Sequence, residues 1–417
     1  MYKGLKRMYT GKELTEKLIC LPEYDNNIRN EDMATRLVEL SSLYQIYIPS
    51  EMSVEIYNKL YMAVLRSIKK KGTREAVTQS YENAMMVKNN ISRGIIGGSD
   101  SFTIIGTSGI GKSSAIMRAM EVITEGQLIH TEGFDIIPAM IVQCPHDCSV
   151  KALLLEVLRK IDGYVDSSYY TQAIRARATT DMLIGTVSQA LLNHVGLLVV
   201  DEIQNVVDSR YGKALVSMLT QLINNSGISI CMVGTPVCEI FFEKEIQLAR
   251  RALGLRYRSC EYNDYFKNFV ELIFSYQYTN KKTELSESVC RWLYDHSGGI
   301  LSLVLSLMYD VQELAILSGE EIISIPLLEK VYKERYQMMS SYIDLTEKRP
   351  SQTSKTYTFK KENVSAVSDG SGNNGSAKKK EIIQDFKLDE LLMSAKKMKS
   401  DAVTVIKDYV NVVEVTV

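Results

Sequence analysis

The 417-residue sequence has little net charge, no regular cysteine framework and no long apolar run. Its formal net charge is −1, so no global excess of basic residues announces a nucleic-acid-binding protein, and any such surface must be local. The seven cysteines are odd in number and irregularly spaced. This count favours a reducing compartment over a disulfide scaffold.

Two kinds of apolar segment are also missing. The N-terminal residues MYKGLKRMYT lack the apolar core of a secretory signal. No stretch approaches the roughly 18 consecutive apolar residues of a membrane span. We therefore expect a cytoplasmic protein with no membrane partner. Its length is sufficient for two or three domains of roughly 150 residues each.

The most informative segment present is a P-loop. A short apolar run, Phe102–Ile105, is followed at once by GTSGIGKS and then by a helical apolar pattern, which fits G-x-x-x-x-G-K-[ST] between a strand and a helix. The glycines let successive N–H groups face phosphate oxygens. Lys112 would reach the β- and γ-phosphates of ATP, and the Ser113 hydroxyl would ligate Mg²⁺. The predicted nucleotide-binding residues are Gly106, Thr107, Ser108, Gly109, Ile110, Gly111, Lys112, Ser113 and Ser114.

An apolar run that ends in two acids follows the P-loop, as in a Walker B strand. The residues LLVV precede Asp201 and Glu202. At a strand end Asp201 would hold Mg²⁺ together with Ser113, and Glu202 would orient and deprotonate the attacking water. The next apolar run ends just before Thr235. Thr235 is either a polar contact to the γ-phosphate, the role called sensor 1, or an ordinary turn residue.

Between residues 102 and about 262, apolar runs alternate with helical patterns, which predicts an α/β fold with a parallel sheet covered on both faces. The predicted strands are Phe102–Ile105, Ile136–Val142, Leu197–Val200, Ile228–Val233 and Tyr257–Tyr262. Residues 1–90 are predicted to be a helical extension outside the nucleotide-binding domain of residues 91–262. Residues 263–345 are predicted to be a helical lid, and residues 346–417 a flexible linker with a partner-binding tail.

Two arginines follow the fourth predicted strand. Arg250 and Arg251 occupy a region from which an arginine can reach the ATP of a neighbouring subunit and neutralise transition-state charge there. The alternative is a solvated basic helix face. The finger is the favoured interpretation, without a choice between the two residues, and it requires a homo-oligomer.

Local basic residues also lie between the two Walker elements. Lys151, Arg175 and Arg177, with Thr179 beside them, begin or flank predicted helices on one side of the sheet. In a ring they would line a pore and contact the phosphates of double-stranded DNA. Ordinary surface charge, with a helix cap at Thr179 or Thr180, is an equally open interpretation.

Several motifs together resemble those of the TnsC/TniB-type AAA+ ATPases of DNA transposons. These motifs are the P-loop GTSGIGKSS, LLVVDEIQNV with Gln204, MVGTP, LARR, CPHDCSVK and the SGG that opens a lid helix. The resemblance covers about residues 90–340, and the pairing of DEIQN with VGTP is more specific than the Walker elements. It implies an AAA+ fold and an ATP-dependent oligomer, a ring or filament on double-stranded DNA, that links a target-selector protein to transposase subunits.

Two other classes of P-loop ATPase come close to these motifs. One is a signalling ATPase that switches between ADP and ATP without DNA. The other is a replication-initiator-like loader. The first usually has a repeat-bearing sensor domain and the second a winged-helix domain after the lid, and neither is evident in this sequence. Transposition regulation is therefore the favoured hypothesis.

Overall fold

The computed structural model describes residues 5–71, 73–89, 101–130, 135–239 and 254–339. The helices before the lid are α1 (Gly11–Leu18), α2 (Met33–Leu40), α3 (Glu51–Lys71), α4 (Arg74–Asn89), α5 (Lys112–Thr124), α6 (Val150–Val165), α7 (Tyr169–Arg175), α8 (Thr180–His194), α9 (Asn205–Asp208) and α10 (Gly212–Ser226). The lid helices are α11 (Asp264–Ser275), α12 (Glu287–Ser297), α13 (Leu301–Ser318) and α14 (Ile325–Val331). The strands are β1 (Phe102–Gly106), β2 (Ile129–His130), β3 (Asp135–Gln143), β4 (Val195–Asp201), β5 (Ser229–Gly234) and β6 (Leu255–Tyr257). Arg250, Arg251 and the predicted tail lie outside the described residues.

The strands form one sheet in the order β2-β3-β4-β5-β1-β6. All neighbouring pairs are parallel except β2 with β3, which is antiparallel. The register places Val200 beside Met232 and Ile104 beside Val233. Since parallel strands end at a common edge, the P-loop after β1 and the acids after β4 meet there. The predicted α/β fold with helix-covered parallel strands is confirmed.

Each face of the sheet packs against its own layer of helices, because successive strand residues point to opposite faces. Leu198, Val200 and Met232 face α6, α8 and α10. On the other face, Leu197, Val199 and Val233 share a core with α1, α3 and α5. Both layers therefore bury apolar stripes against the same strands.

The fifth predicted strand, Tyr257–Tyr262, is wrong in its bounds. Strand β6 spans Leu255–Tyr257, where Tyr257 pairs with Gly106. The chain then leaves the sheet, and the Cys260 amide donates to Gly299 O of the lid at 3.0 Å. Tyr262 packs its ring against Tyr294, with the centroids 5.1 Å apart. The second half of the segment that was predicted as a strand therefore contacts the lid. Strand β2 was not predicted, because two residues are too few to show a period.

The lid helices α11–α14 enclose a second core. The centre of this core is α13, which buries Leu303, Val304, Leu307, Met308, Val311, Ala315 and Ile316. By length and composition α13 alone among the described helices could cross a membrane. Its residues pack against the other lid helices and against Leu40 and Leu43 from the N-terminal segment, as in the core helix of a folded domain.

The N-terminal segment is helical, as predicted, and it packs against both cores. Helix α3 repeats apolar residues at helical spacing and buries Tyr57, Leu60 and Val64 against the sheet. Helix α2 lies on the lid, where the Arg36 guanidinium forms two 2.8 Å hydrogen bonds with the Glu321 carboxylate. Residues 1–347 form one compact unit. The predicted domain boundaries at residues 90, 262 and 345 stay predictions.

Candidate functional site

The P-loop connects β1 to α5 through a turn that depends on glycine at defined positions. Gly109 and Gly111 have φ of +81° and +95°, a region that side-chain-bearing residues rarely adopt. A Cβ on Gly106 would lie 2.9 Å from Tyr257 O, so β6 closes the start of the loop from one side. Ile110 is buried, whereas Ser108 and Ser114 are exposed. The loop is thus a fixed backbone cradle at the end of the sheet.

Lys112 begins α5 and points back across the loop. Its ammonium Nζ donates to Gly106 O at 2.7 Å and to Thr107 O at 2.9 Å. Burial lowers the pKa of Lys112, and the nearby Asp201 and Glu202 carboxylates oppose that shift. The lysine is therefore held by the loop's own carbonyls, where a phosphate oxygen can replace them as its partner.

The Ser113 hydroxyl and the Asp201 carboxylate meet across the edge of the sheet. Ser113 Oγ donates to Asp201 Oδ2 at 2.8 Å, although the two residues are 88 positions apart. A hydroxyl and a carboxylate are hard oxygen donors, which Mg²⁺ prefers. Both groups remain accessible to solvent, which suits an ion that keeps several waters. The pair fits the Mg²⁺ site that the sequence predicts.

Glu202 follows Asp201 in a left-handed backbone conformation, with φ of +58°. Its amide donates to Asp201 Oδ1 at 2.8 Å, and its carboxylate accepts from Gln204 Nε2. Gln204 Oε1 in turn accepts from the Thr235 amide at 3.2 Å. The structure thus brings Glu202 and Thr235 to one edge, linked by a glutamine to which the sequence analysis gave no separate role.

The first turn of lid helix α13 contacts the P-loop. The Ser302 amide donates to Gly109 O at 3.1 Å. A Cβ on Gly109 would lie 2.4 Å from Ser302 Oγ and 2.8 Å from Ile300 Cγ2. The sequence predicts a lid helix here, opened by the residues SGG. The structure adds Ser302, which only the SGG opening could have indicated.

Of the predicted DNA-binding residues, Lys151 and Thr179 lie at helix starts, whereas Arg175 ends α7 and Arg177 lies in the turn before α8. Helix α6 follows the carboxyl end of β3, and α8 runs back to the amino end of β4. Both helices therefore begin near the edge of the sheet that carries the P-loop. Lys151, Arg175 and Arg177 are exposed, and none forms an ion pair with a described residue. Thr179 caps α8 by accepting from the Met182 amide at 3.4 Å, so the capping alternative is realised for Thr179.

Comparison with known proteins assigns the fold of this site. Residues 96–240 match a family model described as an AAA domain. This part of the chain is similar to AAA domains, and its sheet and P-loop have the AAA+ P-loop fold. No curated protein matches the sequence.

Solved structures with similar folds have low sequence identity to this chain. The Drosophila ORC bound to DNA has 12% identity and a TM-score of 0.45, and the match covers 83% of this chain and 74% of that one. Aeropyrum pernix ORC1 in complex with DNA has 13% identity and a TM-score of 0.43, over 62% and 64%. Domain III of Thermotoga maritima DnaA has 13% identity and a TM-score of 0.35, over 63% and 92%. This chain thus spans less than two thirds of the ORC1 structure.

Proposed function

We propose that the protein is an ATP-dependent, oligomeric DNA-binding regulator of transposition. It would link a target-selector protein to transposase subunits in the cytoplasm, with ATP hydrolysis controlling disassembly. The observation that carries the ATPase part is the 2.8 Å contact between Ser113 and Asp201, beside Lys112 and Glu202. Lys112 and Ser113 begin the helix after β1, and Asp201 and Glu202 lie at the end of β4. Strands β1 and β4 are both adjacent to β5 in the sheet.

Each side chain has a distinct role in the hydrolysis of ATP to ADP and phosphate. The loop amides and Lys112 bind the β- and γ-phosphates. Ser113 and Asp201 would hold Mg²⁺, which neutralises phosphate charge when bound. Glu202 orients a water molecule and accepts a proton from it while the water oxygen attacks the γ-phosphorus. Thr235, which directly follows β5, would contact the γ-phosphate as the sensor 1 candidate.

Oligomerisation enters the proposal through the arginines. Arg250 and Arg251 lie outside the described residues, and their role as a finger that acts on a neighbouring subunit's ATP stays a prediction. A finger in trans can be worth about 10³ to 10⁵ in rate. Hydrolysis would then require assembly, which is the property that a switch between assembled and dissociated states needs.

DNA binding is supported by the exposed basic residues at one edge. Lys151, Arg175 and Arg177 lack described ionic partners, while the chain as a whole has a net charge of only −1. One subunit offers too few phosphate contacts to bind well at physiological salt. ATP-driven assembly would repeat these contacts along the duplex, so that binding becomes cooperative and salt-sensitive. The transposition setting rests on the DEIQN and VGTP resemblance.

We expect duplex affinity to require an ATP analogue, to fall steeply with salt and to be equal for two unrelated sequences. Replacing Lys151, Arg175 and Arg177 together with alanine should reduce affinity at least about tenfold and flatten the salt dependence. Fluorescence anisotropy over a salt series, with analogue or ADP, measures this. A charge-matched control replaces Arg74 on α4, Lys330 on α14 and Lys333 just after α14.

Equal weakening by the control triple would contradict the assignment of this edge to DNA. Binding that ignores nucleotide and salt would contradict assembly on the phosphate backbone. Failure to bind duplex at low salt would favour the signalling ATPase, and binding confined to one duplex sequence would favour the replication-initiator-like loader.

A further inference from the structure

The segment after β4 is a tight turn that is pinned to the neighbouring strand. The Ile203 amide donates to Val233 O at 2.9 Å, and the Asn205 amide donates to Glu202 O at 3.1 Å. Asn205 Nδ2 also donates to Cys144 O at 3.0 Å, which ties the same turn to the end of β3. The backbone that presents Glu202 is therefore fixed from both sides.

Gln204 uses both ends of its side-chain amide within this turn. Its Nε2 donates to a Glu202 carboxylate oxygen, and its Oε1 accepts from the Thr235 amide at 3.2 Å. Gln204 is only half-buried, so its amide could also bond to water. Burial alone therefore does not force both of these contacts. The side chain bridges the proposed general base and the tip of β5.

Gly234 leaves room for this bridge. A Cβ at position 234 would lie 2.8 Å from Ile203 Cγ2 and 2.9 Å from Gln204 Oε1. Both distances are shorter than ordinary carbon contacts, so a side chain there would displace Gln204. The DEIQN and VGTP motifs, about 30 residues apart in the chain, thus form one contact unit in the fold.

We propose that Gln204 is a positioning residue that sets the orientation of the Glu202 carboxylate according to the position of the β5 tip. A hydrogen bond to a carboxylate is charge-assisted and directional. It fixes which oxygen of Glu202 remains available to the attacking water. A movement of Thr235 toward a γ-phosphate would pull on Gln204 Oε1 and turn the carboxylate with it. This inference rests on the proposed ATP hydrolysis through Glu202.

Gln204→Glu tests the donor half of the bridge. The substituted carboxylate keeps an acceptor for the Thr235 amide and nearly the same size, but it cannot donate to Glu202 when ionised and repels it. We expect kcat to fall about 10- to 100-fold, as for a misplaced catalytic group, with affinity for an ATP analogue within about twofold. Gly234→Ala should lower kcat in the same way by displacing the glutamine. Asn205→Ala is the matched comparison, since it loosens the same turn without touching the Glu202 carboxylate, and it should lower kcat less than Gln204→Glu does.

A purely structural tie between the turn and β5 would tolerate Gln204→Glu, and wild-type kcat in that variant would overturn the inference. In a Glu202→Gln background, Gln204→Glu should add no further loss of kcat. A full additional loss there would show that Gln204 acts independently of Glu202 and would also overturn it. Should Glu202→Gln itself hydrolyse ATP normally, the proposed function fails at Glu202. Loss of activity in Glu202→Gln with full activity in Gln204→Glu removes the inference alone.

Discussion

The two faces of the sheet are covered by helices from different parts of the chain. One face packs against α6, α8 and α10, which alternate with the strands in sequence. The other packs against α5 and against α1 and α3 from the N-terminal segment. Both layers bury leucine, valine and isoleucine to the same degree. Covering the second face therefore depends on residues that precede the P-loop by 38 positions or more.

The N-terminal segment also crosses from one face to the other. Helix α3 lies on the second face, and α4 lies outside the first layer, where Asn83 Nδ2 donates to Asn225 O at 2.9 Å. At the crossing, Lys71 Nζ donates to Leu191 O at 2.9 Å and to Leu192 O. With α2 on the lid, this segment contacts the second sheet face, the outer side of the helix layer on the first face, and the lid. The segment therefore supplies part of the helix layer on the second sheet face and part of the lid core.

The largest expected effect comes from removing one buried leucine from each face. Leu60→Ala in α3 and Leu158→Ala in α6 each delete a side chain with 0% exposure. We expect each to lower the free energy of unfolding by about 3–5 kcal/mol, because a cavity remains in a close-packed core. Urea unfolding, followed by circular dichroism, measures both.

If Leu60→Ala hardly changed the free energy of unfolding while Leu158→Ala lowered it strongly, the two helix layers would not support the sheet equally. A separate early transition in Leu60→Ala, with the main transition unchanged, would likewise mean that the N-terminal helices unfold independently of the sheet.

A smaller effect on the free energy of unfolding is expected from Lys71, which lies where the N-terminal segment crosses between the two faces. Burial lowers the pKa of Lys71 to about 7, whereas an unfolded lysine keeps its proton up to about pH 10.4. Above pH 7 the unfolded chain therefore binds more protons, and the contribution of this group to stability rises with pH. Between pH 7 and 8 we expect the stability of wild type relative to Lys71→Met to rise by about 1 kcal/mol, within the limit of 1.36 kcal/mol per pH unit.

Urea titrations of both proteins at pH 7, 8 and 9 test this expectation. Lys69→Met is the control, because it removes an exposed lysine from the same helix turn. If the difference in free energy of unfolding between wild type and Lys71→Met stayed constant from pH 7 to 9, the Lys71 ammonium would be solvated and not buried.

The nucleotide site was largely predictable because its signals are contiguous. The loop GTSGIGKS and the run LLVVDE each carry their chemistry within a few residues, and parallel strands bring their ends together by geometry. The meeting of Ser113 and Asp201 follows from those two facts. The roles of the site residues in catalysis stay predictions.

The links between these elements were not predictable from local patterns. The bridge from Gln204 to Thr235 depends on the register of β5 beside β4, which no single segment encodes. The contact of Ser302 with Gly109 depends on how the lid packs. The apolar stripe of α3 predicts a buried helix face but does not identify the surface that this face covers. The helical period of apolar residues shows that one face of a helix is buried, but it does not identify the element that packs against that face.

The most direct test of the account is ATP turnover by wild type and Glu202→Gln, measured beside binding of an ATP analogue to both. Loss of the carboxylate should leave the loop, Lys112 and the Ser113–Asp201 pair intact. We therefore predict unchanged analogue affinity and turnover lowered about 10²- to 10⁴-fold, whereas Lys112→Ala should lose affinity itself. Wild-type turnover in Glu202→Gln would contradict the assignment of the hydrolytic site.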